Sequence, residues 1–192
     1  MLKALTTAAL LILPGTAMAA DWGPFYAQIY GGARLPGLSS FDTTVYPMES
    51  GPSFGASIGA ATAIDGLSVG LDVMHSSVTY TDFPNDTLST LTIMGTIEGA
   101  FRLNDRFELY GTGGLGAMNI AFSDASDPTN ADNGWAPAYQ FAAGLRVKAT
   151  EQLSFFTELK HQDTFVPVVQ FGDENVTSPS TSVLVGLRFS TN

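Results

Sequence analysis

The 192-residue sequence predicts an all-β protein, eight antiparallel strands in an up-and-down meander closed into a barrel that crosses a membrane. Three observations carry this expectation. Apolar and polar residues alternate with period two through most of the chain, the pattern of strands with two unlike faces. The connections between these runs are alternately short and long. The first residues read as an export leader, and no later segment approaches the roughly 18 consecutive apolar residues of a spanning helix.

The leader has three parts. Lys3 supplies a positive start, Leu5 to Leu13 form a short apolar stretch broken by Pro14 and Gly15, and Ala17-Met18-Ala19 is a small-x-small cleavage site. Residues 1–19 are therefore expected to be removed, leaving 20–192 as one barrel domain. Cysteine is absent, so no disulfide holds the exported chain together. Charged residues make up 14% of the sequence, against about 25% in a soluble domain. The net charge of −10, or −11 once Lys3 is lost, argues against nucleic acid as a ligand.

The strands follow in order. Phe25, Ala27 and Ile29 oppose Tyr26, Gln28 and Arg34; Phe54, Ala56 and Ile58 oppose Gly55, Ser57 and Gly59. Leu67, Val69, Leu71 and Val73 face away from Ser68, Gly70, Asp72 and Met74. Between Leu91 and Leu103 the apolar face is Leu91, Ile93, Ile97, Phe101 and Leu103, opposite Thr92, Met94, Thr96, Glu98 and Arg102. Phe107, Leu109 and Leu115 oppose Glu108, Tyr110 and Thr112. Tyr139, Phe141, Ala143, Leu145 and Val147 oppose Gln140, Ala142, Gly144, Arg146 and Lys148. Leu153, Phe155 and Leu159 oppose Ser154, Phe156, Glu158 and Lys160, and Val183, Val185, Leu187 and Phe189 oppose Ser182, Leu184, Gly186 and Arg188. Each run can supply the roughly 9–11 tilted residues of a bilayer crossing.

Ile64-Asp65-Gly66, Asn104-Asp105-Arg106 and Thr150-Glu151-Gln152 read as tight turns. The other connections, Leu35 to Pro52, Val78 to Ser89, Ala121 to Ala136 and Thr164 to Pro179, read as long polar loops. Short periplasmic turns and four long extracellular loops are the asymmetry of an outer-membrane barrel. Phe25, Phe101, Phe107 and Phe189 fall outward at the short-turn end, where an aromatic girdle belongs. A soluble barrel would place its charges outward, whereas these strands confine nearly all of theirs to the face opposite the apolar one.

Through FELYGTGGLG (Phe107 to Gly116), YQFAAGLRVKATEQLSFFTELKH (Tyr139 to His161) and VLVGLRF (Val183 to Phe189), the chain resembles the small OmpA-like and opacity-type outer-membrane barrels. The resemblance implies a Gram-negative outer membrane, contact with outer-membrane lipid and lipopolysaccharide, and insertion by the barrel-assembly machinery. Members commonly end on an aromatic residue that the machinery reads; here Ser190-Thr191-Asn192 follows Phe189 and displaces that signal. No peptidoglycan-binding domain is expected after the last strand.

The alternation places Arg34, Asp72, Glu98, Arg102, Glu108, Arg146, Lys148, Glu158, Lys160 and Arg188 inside. An eight-stranded barrel is barely wider than its own inward side chains, so these charges are expected to pair and close the lumen. A narrow polar channel is the porin-like alternative. His75 and His161 continue outward faces to the long-loop rim, with Ser77 two residues from His75 on the same face. The segments DVMHSSVTY and LSFFTELKH are loosely similar to barrels that modify lipid A at this rim, making His75, Ser77 and His161 the candidate catalytic residues. A triad also requires an orienting acid on that side, and Glu98 points inward. Gly111 to Gly116 matches G-x-G-x-x-G, but it runs on within a strand, without the helix that dinucleotide binding requires. No cofactor or metal site is expected.

The loops carry Asp42, Glu49, Asp82, Asp86, Asp124, Asp127, Asp132, Asp163, Asp173 and Glu174 and no Lys or Arg, a composition suited to divalent cations bridging to lipopolysaccharide. The expected function is a structural or surface-interaction barrel, with a rim enzyme and a narrow porin as alternatives.

Overall fold

The computed structural model describes residues 24–123, 131–170 and 174–191; the leader expected over 1–19 lies outside them. The chain forms β1 (Phe25–Arg34), β2 (Gly37–Phe41), β3 (Thr44–Met48), β4 (Gly51–Ala61), β5 (Leu67–Thr79) and β6 (Thr87–Arg102). It continues with β7 (Phe107–Ser123), β8 (Ala131–Lys148), β9 (Leu153–Thr164), β10 (Val168–Gln170), β11 (Glu174–Thr177) and β12 (Ser180–Ser190). Eight of these close into an antiparallel barrel in the order β1-β12-β9-β8-β7-β6-β5-β4. Closure comes from β1, which pairs with β4 on one side and with β12, from Tyr26↔Ser190 to Arg34↔Ser182, on the other.

Period-two alternation sets the two faces. On β6, Thr90, Thr92, Met94, Thr96 and Glu98 are buried while Ile93 and Ile97 are exposed. Ile29, Ile58, Leu71, Leu115, Phe141, Leu159 and Val185 continue that exposed belt around the barrel. In a bilayer the belt meets hydrocarbon, and each backbone group finds its partner on the neighbouring strand, which is why only a closed sheet can cross. Phe25, Phe101, Phe107 and Phe189 stand outward at the short-turn end.

The short turns hold by local chemistry. Gly66 takes φ +74°, and a Cβ there would lie 2.5 Å from the Ala100 carbonyl oxygen, so glycine is required on both counts. Asn104 Oδ1 accepts from the backbone N–H of Arg106 (2.9 Å) and Phe107 (3.0 Å). Thr150 Oγ1 accepts from Gln152 and Leu153 in the same way.

Two stretches expected to be polar loops are folded. β2 and β3 make a hairpin within Leu35 to Pro52, turning at Asp42 with φ 49°. Together with β10 and β11, from the connection after β9, they build a separate four-stranded sheet in the order β10-β11-β2-β3. The reason is a second, shorter alternation among β-forming residues. Phe41, Tyr46, Met48, Val168 and Val176 pack with Tyr80, Leu88, Met94, Met118, Ile120, Ala136 and Ala138 in one apolar cluster. The sheet therefore caps the long-loop end and fills the upper lumen, with edge contacts such as Phe41–Tyr46 (5.8 Å) and Phe41–Phe122 (6.2 Å). β7 and β8 also outrun the expected loop boundaries and remain paired to Ser123↔Ala131.

Inside the lower lumen, aromatic rings lie across glycines on the next strand. Tyr110 pairs with Gly144, where a Cβ would come within 2.5 Å of the tyrosine Cζ and of the Thr157 carbonyl oxygen. Tyr26 on Gly59 and Tyr30 on Gly55 repeat the arrangement. Gly144→Ala is expected to destabilise the barrel by about 1–3 kcal/mol through overpacking, read from its urea unfolding midpoint in micelles.

Candidate functional site

The lower lumen is built as three stacks, each running from glycine to tyrosine to cation to acid. The Arg188 guanidinium sits 3.7 Å from the Tyr26 ring centre, Arg146 4.5 Å from Tyr110, and Lys160 Nζ 4.5 Å from Tyr30. The cations then reach carboxylates. Arg146 donates to both oxygens of Glu98 at 2.9 Å, and Arg188 donates to Glu98 Oε1 at 2.7 Å. Arg146 also pairs with Glu108. Lys160 donates to Asp72 Oδ2 at 2.9 Å and lies 3.4 Å from Glu158. The tyrosine hydroxyls complete the set, Tyr30 donating to Asp72 (2.7 Å) and Tyr110 to Glu158 (3.0 Å). Gln140 and Gln162 extend it towards Thr92 on β6.

Seven of the ten charges expected inside thus meet in a buried cluster: Asp72, Glu98, Glu108, Arg146, Glu158, Lys160 and Arg188. The other three do not join it. Arg102 shares the parity of Glu98 but ends its strand, so its side chain is 69% exposed and only approaches Glu108 at 4.0 Å. Lys148, at the end of β8, is half-buried and has no ion pair within 4.0 Å among the described residues. Arg34 is buried, yet it lies at the opposite end of the lumen. Its Nη2 donates to Ser178 Oγ (2.7 Å) and the Pro179 carbonyl (3.2 Å), tying β1 to the link between the cap sheet and β12. Above it, burial pushes the Tyr80 phenol up to about 12, so the cap holds it neutral.

The candidate rim residues are not brought together. His75 on β5 and His161 on β9 are four strands apart in the eight-strand ring, on opposite sides of the barrel. His75 packs on the Phe54 ring at 5.2 Å, and His161 Nδ1 lies 3.0 Å from Thr181 Oγ1. Ser77 accepts a hydrogen bond from Ser89 rather than meeting His75. Neither histidine has an ion pair among the described residues. No cluster of three metal-ligating side chains occurs among the described residues. The Gly111 to Gly116 segment lies wholly within β7. Of the loop acids, Asp124, Asp127 and Asp173 lie outside the described residues.

A closed antiparallel barrel with an apolar outer belt and a charged lumen defines a small β-barrel of the bacterial outer membrane. The pattern of the outer membrane protein beta-barrel domain family matches residues 5–189, and the chain belongs to that family. No curated protein matches it. Among solved structures it is similar to Neisserial surface protein A, at 14% identity and TM-score 0.61 over 87% of this chain and 96% of that one. OprG from Pseudomonas aeruginosa is similar at 14% identity and TM-score 0.60, over 88% and 96%. The outer membrane protease OmpT from Escherichia coli is similar at 9% identity and TM-score 0.51, over 93% and 99%. At these identities the likeness is one of fold.

The sequence reading placed Tyr26, Tyr110 and Gln140 at inward parity without a part in the charge cluster, and did not single out Tyr30 or Gln162. The signal was present as tyrosine and glycine at inward parity on adjacent strands. Glu98→Gln takes from Arg188 its one ion pair among the described residues and leaves Arg146 with Glu108 alone, so a loss of about 3–5 kcal/mol is expected in equilibrium unfolding. Arg102→Gln is expected to cost at most about 1 kcal/mol in the same measurement, because its side chain is in water.

Proposed function

We propose that this protein is a closed barrel that anchors in the outer membrane and acts through its extracellular cap. One observation carries the reading: the lumen is occupied along its length, by paired charges below and by the methionine and aromatic cluster beneath the cap sheet above. An occupied lumen supports a surface role over a porin, since conduction requires a wet, continuous path.

The cap presents acids. Asp42, Glu49, Asp82 and Asp86 stand at this end, while Arg34 and Lys160, the bases nearest to it among the described residues, are buried. Such a surface favours cationic ligands, or lipopolysaccharide bridged through divalent cations. Leu38 and Val45 add exposed apolar area to the cap sheet.

Two measurements test the reading. In planar bilayers the refolded protein is expected to give no stepwise conductance; discrete steps that shift on neutralising Glu98 would replace it with a channel. Vesicles containing lipopolysaccharide are expected to capture micelle-held protein when magnesium is present and release it in chelator. Capture is expected to fall when the β2–β3 hairpin is replaced by a short turn in a barrel that still folds. Capture that ignores both chelator and hairpin removal would overturn the assignment to the cap.

A further inference from the structure

Among the described residues, the bases that reach solvent sit together. Of the Lys and Arg side chains among the described residues, Arg34, Arg146, Lys160 and Arg188 are buried, and Arg102, Arg106 and Lys148 reach the surface. Arg102 ends β6, Arg106 lies in the turn before β7, and Lys148 ends β8. The Lys148 backbone N–H donates to the Arg106 carbonyl at 2.8 Å, so the three strand ends are neighbours at the periplasmic rim.

Just inside that rim, the outward face of the same strands is hollow. A groove of about 780 Å³ is lined by Leu67, Gly99, Phe101, Leu109, Gly111 and Ala143. Leu67↔Gly99, Gly99↔Gly111 and Gly111↔Ala143 are register pairs, so its floor is one row crossing β5 to β8. The protein's own packing does not ask for glycine there. A Cβ at Gly99 would meet nothing within 4 Å, and at Gly111 only the Ala142 carbonyl at 3.7 Å, in contrast to the crowding at Gly144. Glycine within a strand weakens it and often marks a place where something else approaches closely.

We infer that this face binds an anionic glycerophospholipid of the periplasmic leaflet, one acyl chain in the groove and the phosphate on Arg102, Arg106 and Lys148. The groove supplies apolar walls at the depth of the acyl chains, and the rim supplies positive charge at the depth of the headgroups. Basic residues at a membrane surface attract anionic lipid by charge. Asp105 shares the turn, Asp65 lies at the groove margin, Glu151 lies in the turn after Lys148 and Glu108 is close to Arg102, so the preference rests on where the three bases stand beside the groove and not on a net positive charge of the rim.

The test is native mass spectrometry of the full protein in micelles titrated with phosphatidylglycerol or phosphatidylcholine of identical chains. The wild type is expected to retain one phosphatidylglycerol, in about fivefold excess over phosphatidylcholine. Gly99→Leu, which has room to fold, is expected to lose retention of both. The double variant Arg106→Gln with Lys148→Gln is expected to hold the two lipids equally, separating the headgroup contact from the groove. Equal retention by the wild type, or undiminished phosphatidylglycerol on Gly99→Leu, overturns the inference. A dimer peak that Gly99→Leu abolishes, without any headgroup preference, assigns the groove to a second copy of this chain instead.

Discussion

Arg146 on β8 and Arg188 on β12, two strands apart in the ring, converge on the carboxylate of Glu98 on β6, and the charged half of the lumen is arranged around that meeting. A guanidinium taken out of water is costly to hold unless its charge and its donors are both answered. Glu98 answers the charge, and the rings of Tyr110 and Tyr26 cover the faces of the two cations. Those rings can lie flat only because Gly144 and Gly59 leave space beneath them. Removing any layer exposes the next, so the stacks behave as units rather than as separable contacts.

The lumen has two characters divided along its axis. Near the periplasm it is ionic and directional, fixed by hydrogen bonds with defined geometry. Towards the outside it turns to thioether, aliphatic and aromatic groups, with Met48, Met94 and Met118 all buried. Methionine fills irregular space and tolerates rearrangement better than branched side chains do. The lower half therefore ties strands together through directional side-chain bonds across the lumen. The upper half accommodates whatever shape the cap sheet imposes. Arg34 belongs to this outer end, a buried base that holds the cap link through Ser178 and Pro179 rather than joining the ionic cluster.

Much of this was legible in the sequence because a strand has a side-chain period of two, and one face met hydrocarbon while the other met a lumen. Inside and outside positions such as Leu91 and Thr92 follow from that alone. Parity was less informative at strand ends, where Arg102 has the inward phase of Glu98 but no wall beyond it to keep it inside. The cap was illegible for a different reason. β10 and β11 are three and four residues long, too short for a periodic signal, and the pairing of β11 with β2 joins residues more than 130 apart in sequence. The separation of His75 from His161 was likewise a matter of ring position, which neither local segment encodes.

The pairing of β1 with β12 bears on how the molecule is made. Its first and last barrel strands are mutual neighbours over nine residue pairs, so the sheet retains two open edges until the final strand arrives. Inside hydrocarbon an open edge leaves a column of unanswered amides and carbonyls, which no partial chain can tolerate. Assembly is thus all-or-none with respect to length. A chain that lacks its last strand has no partner to offer β1 and carries no closed architecture into the bilayer.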